Sequence, residues 1–241
     1  MYSRIPMPRF EWNENAVRYV MCFFPAVGAA VGAALFAAAY IMRSLGAGDI
    51  LYSAVMTAIP VIITGGIHMD GFIDTSDALA SYGDRKKRLS ILKDSHVGAF
   101  ALIWSSVYFI LAFGIWSETD TADVLMISAG CVLSRTLSGL SVIMLPTAKD
   151  TGLAAMFSGA AQKRCTIVVL LCWLAACAAA VLLIDPKRGA AMLLSAAVIF
   201  LIYRRISIKS FGGITGDLAG WFLQLCELGI LAAVTAAGRF I

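Results

Sequence analysis

The chain has 241 residues, of which 60% are hydrophobic and only 14% charged, with a mean hydropathy of +0.85. A soluble domain of this size carries about 25% charged residues, so the composition excludes an ordinary soluble protein and indicates an all-α, polytopic membrane bundle forming one domain over residues 1–241. The net charge of +4 does not signal nucleic acid, because the basic residues are scattered among apolar runs rather than gathered on one face.

The chain starts with an arm, Met1 to Asn15, in which Pro6 and Pro8 forbid a regular helix; it is expected to lie extended at the membrane surface. No cleavable signal peptide is expected, since the first apolar run is too long and lacks a polar, small-residue cleavage region. Apolar runs follow at Val17–Met42, Ile50–Ile67, Gly98–Trp116, Val124–Leu145, Thr166–Ile184, Ala190–Tyr203 and Leu218–Ala237. Crossing the hydrocarbon core takes about 20 apolar residues, with about 17 as the lower limit. Six runs meet this alone, and the short sixth is extended by Lys187, Arg188, Arg204 and Arg205, whose stems snorkel. The prediction is therefore about seven transmembrane helices. Six cysteines fall in or at the ends of these runs with no CxxC pair or Cys/His cluster, so they read as small core hydrophobes.

Lys and Arg alternate along the water-facing segments. Fourteen lie in the first, third, fifth and seventh segments, four in the others, and Arg135 inside the fourth span. That bias predicts a cytoplasmic amino terminus and an outer carboxyl terminus, with the polar motifs gathered on the cytoplasmic side. Asp70 to Ala80 reads as a helix, Ser81 to Asp84 as a turn with Asp84 as N-cap, and Arg85 to Asp94 as a short basic helix at the interface. Gly28 and Gly32 form a GxxxG in the first span, which permits close helix contact within one chain or between two copies.

Chemistry concentrates in Thr64–Ala78, TGGIHMDGFIDTSDA. Asp70, Asp74 and Asp77 stand at i, i+4 and i+7 and share one helix face, where like charges repel. Two readings compete: a solvated face paired with Arg85–Arg88, or a site for a hard divalent cation gripping a phosphate-bearing substrate. Gly212-Gly213-Ile214-Thr215-Gly216-Asp217 echoes Gly65-Gly66-Ile67-His68-Met69-Asp70, both reading GGI-x-x-D, as two similar approaches to one polar site. Glu227 lies deep in the last span and needs a partner, for which Arg135 is the obvious choice; a packing pair and a catalytic pair explain them equally well. His68 is open between general base, phosphate donor and structural donor. Lys93, His96, Lys149 and the Arg85–Arg88 run are available to phosphate, the run alone fitting an anchor for anionic headgroups better.

At these residues GGIHMDGFIDTSDAL resembles the signature of the cobalamin synthase (adenosylcobinamide-GDP ribazoletransferase) family. The likeness continues at Arg4–Pro8, Phe24-Pro25, Lys93-Asp94-Ser95, Ser134-Arg135, Ala148-Lys149…Gly152-Leu153 and Gly212–Asp217…Glu227. The chain departs from the family pattern at Gln224, where an acid is common, and at Lys149, where Arg is common. The resemblance implies a Mg²⁺-dependent transferase of the bacterial or archaeal inner membrane. It joins adenosylcobinamide-GDP to α-ribazole or its 5′-phosphate and releases GMP. It further implies Asp70, Asp74 and Asp77 on the metal, Asp217 or His68 as base, and Lys93, Asp94, Arg135, Lys149, Thr215 and Glu227 on the substrates. Expected partners are the corrinoid, α-ribazole and the lipid bilayer, with a second copy or other corrinoid-pathway enzymes as further candidates.

Two rivals remain at this level. A CDP-alcohol phosphatidyltransferase would follow Asp-Gly by two residues and then Ala-Arg (DG-x-x-AR), but no Ala-Arg follows Asp70-Gly71 here. A transporter would use Arg135, Asp217 and Glu227 as an ion path.

Overall fold

The structure, a computed structural model, describes residues 18–94 and 96–240. The amino-terminal arm and Ser95 lie outside these. Ten α-helices follow in order: α1 Phe24–Ser44, α2 Asp49–Thr64, α3 Ile67–Ala80, α4 Arg85–Ile91, α5 Ala99–Trp116, α6 Thr121–Met144, α7 Leu153–Ala160, α8 Lys163–Ile184, α9 Pro186–Ile206 and α10 Gly216–Phe240. By length and composition six helices can cross a membrane, α1, α5, α6, α8, α9 and α10, and the bent pair α2–α3, a broken span or a re-entrant loop, brings the number to seven if it counts as one. The all-α bundle expected from the apolar runs is thus the architecture found.

The helix ends have local causes. Pro25, which has no N–H to lose, sits in the first turn of α1, and a 3₁₀ turn, Val20–Phe23, precedes it. Asp84 caps α4 by accepting from the Lys87 N–H at 2.9 Å, as the sequence predicts, although α4 stops at Ile91. The short sixth run becomes a full helix because Asp185 accepts from the Lys187 and Arg188 N–H groups, both at 3.0 Å, drawing those residues into the first turn of α9.

The second apolar run ends earlier than its hydropathy suggests. Gly65 and Gly66 both adopt positive φ, 65° and 80°, and the Gly66 N–H turns back to the Val61 carbonyl at 2.9 Å. This left-handed pair terminates α2, and α3 departs at 95°. Gly212, with φ 75°, ends the π-helical turn Ser207–Phe211 after α9 in the same way, and α10 restarts four residues later. The GGI echo is therefore structural: each pair stops one helix and redirects the next.

The central packing is by α6 and α10, with α1 laid along α6. A Cβ on Gly28 would collide with the Cys131 carbonyl, and one on Gly32 with that of Ser128. The GxxxG contact is thus made within one chain. Connections alternate between two ends of the bundle. At the far end acids and bases are matched: Arg188 reaches Asp120, Asp123 and Asp185, each at 2.8 Å, Arg43 reaches Asp49 at 2.8 Å, and Arg239 pairs with Glu118. The opposite end carries α3, α4, the segment containing Lys149 and the start of α10.

Candidate active site

Helix α3 puts Asp70, Asp74 and Asp77 on one face, as the spacing requires. Asp74 lies within electrostatic reach of Asp70, Asp77 and also Asp217, so four carboxylates share one region. Asp217 arrives because α3 and α10 cross closely. A Cβ on Gly71 would lie 2.7 Å from the Asp217 carbonyl oxygen, and one on Gly220 would lie 3.1 Å from the His68 carbonyl oxygen. Substituting Gly71→Ala is therefore expected to cost about 1–3 kcal/mol through overpacking and to lower kcat by displacing Asp217. Thermal unfolding and turnover of the purified variant check both effects.

Among the described residues no ion pair joins Asp70, Asp74, Asp77 or Asp217 to a basic side chain, in contrast to the matched far end. The solvated reading, with Arg85–Arg88 as partners, is thereby disfavoured. Arg85 turns elsewhere: it donates to the Ala148 carbonyl at 3.4 Å and lies against Gly212. The Asp77 carboxylate sits against Gly98, the N-cap of α5, where no side chain would fit.

The loop carrying Lys149 is stitched to the start of α10. Thr147 and Ile214 form a parallel bridge, with Ala148 N–H to Ile214 O and Ile214 N–H to Pro146 O both at 2.8 Å. This brings Lys149 beside Asp217. Burial lowers the pKa of the Lys149 ammonium, Asp217 opposes that, and Lys93 adds a smaller lowering. Thr215 works as a cap: its hydroxyl accepts from the Leu218 N–H at 3.2 Å and donates to Asp217 at 3.3 Å. Asp94 and His96 pair with each other at 2.6 Å on the exposed surface.

Arg135 and Glu227 are paired in the interior, as the sequence suggests. Arg135 is 1% exposed and also meets Ser134 Oγ at 3.1 Å and the Cys131 carbonyl at 3.3 Å; Ser134 in turn donates to Glu227 at 3.0 Å. His68 is buried, lies edge-on to Phe24 at 6.4 Å, and feels Arg135. Its Nε2 has no hydrogen-bond partner. The predicted site residues thus fall into three places. Asp70, Asp74, Asp77, Asp217, Thr215, Lys149 and Lys93 gather at one end. Arg135, Glu227 and His68 lie inside, and Asp94 is peripheral. The sequence reading took Arg85 only as part of the Arg85–Arg88 run, for phosphate or anionic headgroups, and did not anticipate its contacts with Ala148 and Gly212.

Among the described residues no group of three or more His, Cys, Asp or Glu side chains converges to hold a metal by itself. That geometry argues against a protein-only cage. It fits Mg²⁺, which takes one or two carboxylates and leaves its other positions to water and phosphate oxygens. Asp70 and Asp74, one helical turn apart on a common face, supply such a donor pair.

The chain was also compared with known proteins. Residues 1–235 match the family model described as cobalamin-5-phosphate synthase. The chain is 46% identical over 242 residues to an adenosylcobinamide-GDP ribazoletransferase of Lachnoclostridium phytofermentans, covering 100% of this chain and 93% of the relative. It is 30% identical over 234 residues to the enzyme of that name from Clostridium perfringens (96% and 93% covered) and 34% over 226 residues to that from Geobacillus (91% and 86%). No solved structure matches. A match along nearly the whole chain, with the GGIHMDGFIDTSDA segment forming the acidic face of α3, places this chain in the cobalamin-5-phosphate synthase family.

Proposed function

We propose that the chain is a membrane-embedded adenosylcobinamide-GDP ribazoletransferase, joining the corrinoid donor to α-ribazole or its 5′-phosphate and releasing GMP. The observation that carries this beyond family membership is the contrast between the two ends of the bundle: far-end acids are paired with arginines, whereas among the described residues Asp70, Asp74, Asp77 and Asp217 form no ion pair, and Lys149 acts on Asp217 only at longer range. Clustered carboxylates repel one another, and a divalent cation would relieve that repulsion. Asp70 and Asp74 would hold Mg²⁺, which would supply positive charge to the diphosphate oxygens, while Asp77 is anchored against the head of α5.

The alcohol oxygen of the acceptor attacks the phosphorus attached to the corrinoid. The bond to GMP breaks, and GMP leaves with its electron pair. Asp217, half-buried at the head of α10 and steadied by Thr215, takes the alcohol proton. His68 is enclosed and lies edge-on to Phe24, a placement that suits a packing residue better than a base. Lys93 and Lys149 provide positive charge toward phosphate. The positive-inside bias supports a cytoplasmic site. The transporter reading loses its main support, since Glu227 and Arg135 are committed to each other.

The test is GMP release by detergent-purified protein given adenosylcobinamide-GDP and α-ribazole. Release is expected only with both substrates and Mg²⁺, and a chelator should reduce it to background with recovery on adding excess Mg²⁺. Chelator-insensitive release would refute the metal assignment, and no release from folded, Mg²⁺-loaded protein would refute the transferase.

A further inference from the structure

The geometry points to a binding site for one anionic phospholipid on the lipid-facing side of α9, at the same end of the bundle as the candidate active site. An acyl chain lies along Leu194, Val198 and Leu201, the headgroup phosphate meets Arg205 and Lys209, and the occupied site steadies the neighbouring basic helix α4. The binding stands apart from the transferase reading; its effect on turnover rests on that reading.

Leu194, Val198, Leu201, Arg205 and Lys209 recur every three or four residues along α9 and the π-helical turn after it, so they form one stripe, and all five are exposed. Exposed leucines on a helix apolar enough to cross a membrane face lipid. Leu194 and Arg205 are eleven residues apart. At the α-helical rise the stripe climbs about 16 Å, half of the roughly 30 Å hydrocarbon core. It therefore spans one leaflet, apolar from the midplane outward and cationic where that leaflet's phosphates lie. A soluble anion or an acidic protein matches only the charged half, whereas a phospholipid matches both.

The cations have no counter-charge within the described chain. Helix α4 packs against the turn Ser207–Phe211 and brings Lys86 and Lys87, both exposed, to the corner of the molecule that holds Arg204, Arg205 and Lys209. Among the described residues none of these five forms an ion pair, whereas Arg43, Arg188 and Arg239 at the far end are all paired. Asp84, the acid next to α4, is turned to the Lys87 N–H as the helix cap. Like charges from two segments repel, and a headgroup phosphate at this corner relieves that repulsion. Each cation near an anionic membrane surface strengthens the attraction about fivefold.

The consequence for the active site runs through Arg85, a positioning residue. Its guanidinium lies on Gly212, three residues past Lys209, and donates to the Ala148 carbonyl at 3.4 Å. It thus spans the two segments that the Thr147–Ile214 bridge joins, the ones carrying Lys149 and Asp217. With the lipid bound, α4 stays down and Arg85 stays across that seam. Without it, repulsion between α4 and the end of α9 loosens both.

The experiment titrates the detergent-purified full chain with phosphatidylglycerol or phosphatidylcholine of matched chains and reads bound lipid by native mass spectrometry. In the wild type one phosphatidylglycerol should bind about tenfold more tightly than phosphatidylcholine or better. The double variant Arg205→Gln with Lys209→Gln should lose roughly tenfold or more, two cations at about fivefold each, and Arg205→Lys with Lys209→Arg should retain the preference. Glycerol 3-phosphate, which carries the phosphate without the chains, should not displace the lipid. Turnover is read in nanodiscs as GMP release with both substrates and Mg²⁺. It should rise about threefold or more on going from pure phosphatidylcholine to about 30% phosphatidylglycerol. That rise should vanish in the Arg205/Lys209 glutamine variant and in Arg85→Gln, the latter still binding the lipid within about threefold of the wild type. Equal binding of the two lipids, an unchanged preference in the glutamine variant, or displacement by glycerol 3-phosphate would overturn the site. A rise in turnover that survives Arg85→Gln would overturn the coupling. Selective binding with no GMP release in any lipid would instead bring down the transferase reading and leave the lipid site standing.

Discussion

Replacing Asp74 with Asn should reduce GMP release by roughly 10³-fold or more while leaving the protein folded. Asp74 stands in the middle of the acidic face and interacts with Asp70, Asp77 and Asp217, so it is the carboxylate most exposed to the others' repulsion. No ion pair is lost with it, and removing one like charge relieves the face by a few tenths of a kcal/mol. Detergent gel filtration and the unfolding temperature should therefore match the wild type or exceed it slightly. The far end supplies the contrast. Asp123 is 1% exposed, closes a capping box with Asp120 and pairs with Arg188 at 2.8 Å. Substituting Asp123→Asn should lower stability by about 1–3 kcal/mol and leave turnover per folded molecule intact. A chain that behaved the other way, tolerant at Asp74 and inactive at Asp123, would have its chemistry at the opposite end.

That contrast could not be read from composition, because both ends carry acids and bases in similar local patterns. The helices were legible, since apolar runs of membrane length leave little choice of secondary structure. So was the shared face of Asp70, Asp74 and Asp77, which follows from spacing alone. The Arg135–Glu227 pair was legible because two deep charges in one bundle have few alternatives. What escaped depends on contacts between distant segments. Gly65-Gly66 looks like the tail of a span until its positive φ values turn the chain through 95°. Lys149 reaches Asp217 through a bridge of one residue pair, far too short to leave any periodicity. The small helix α7 sits inside what reads as a loop, and Arg85 leaves its basic run to cover Gly212. These features assemble the Lys149–Asp217 side of the site, so the acidic face of α3 was the more visible half.

The second large effect is expected at Glu227. Substituting Glu227→Leu strands Arg135, 1% exposed, without its carboxylate and should destabilise the protein by about 3–5 kcal/mol. In a purified sample this appears as a lower unfolding temperature and a poor folded yield, with activity falling in proportion. The informative variant is the double substitution, Arg135→Met with Glu227→Leu. If the pair serves to hold α6 against α10, an apolar pair of similar volume removes both charges together and should recover most of the stability. Turnover per folded molecule should then return to within about threefold of the wild type, since Asp217, Lys149 and the α3 face are untouched. A double variant that folds well but remains inactive would show instead that the guanidinium reaches substrate, and would move the reacting centre from the end of the bundle into its interior.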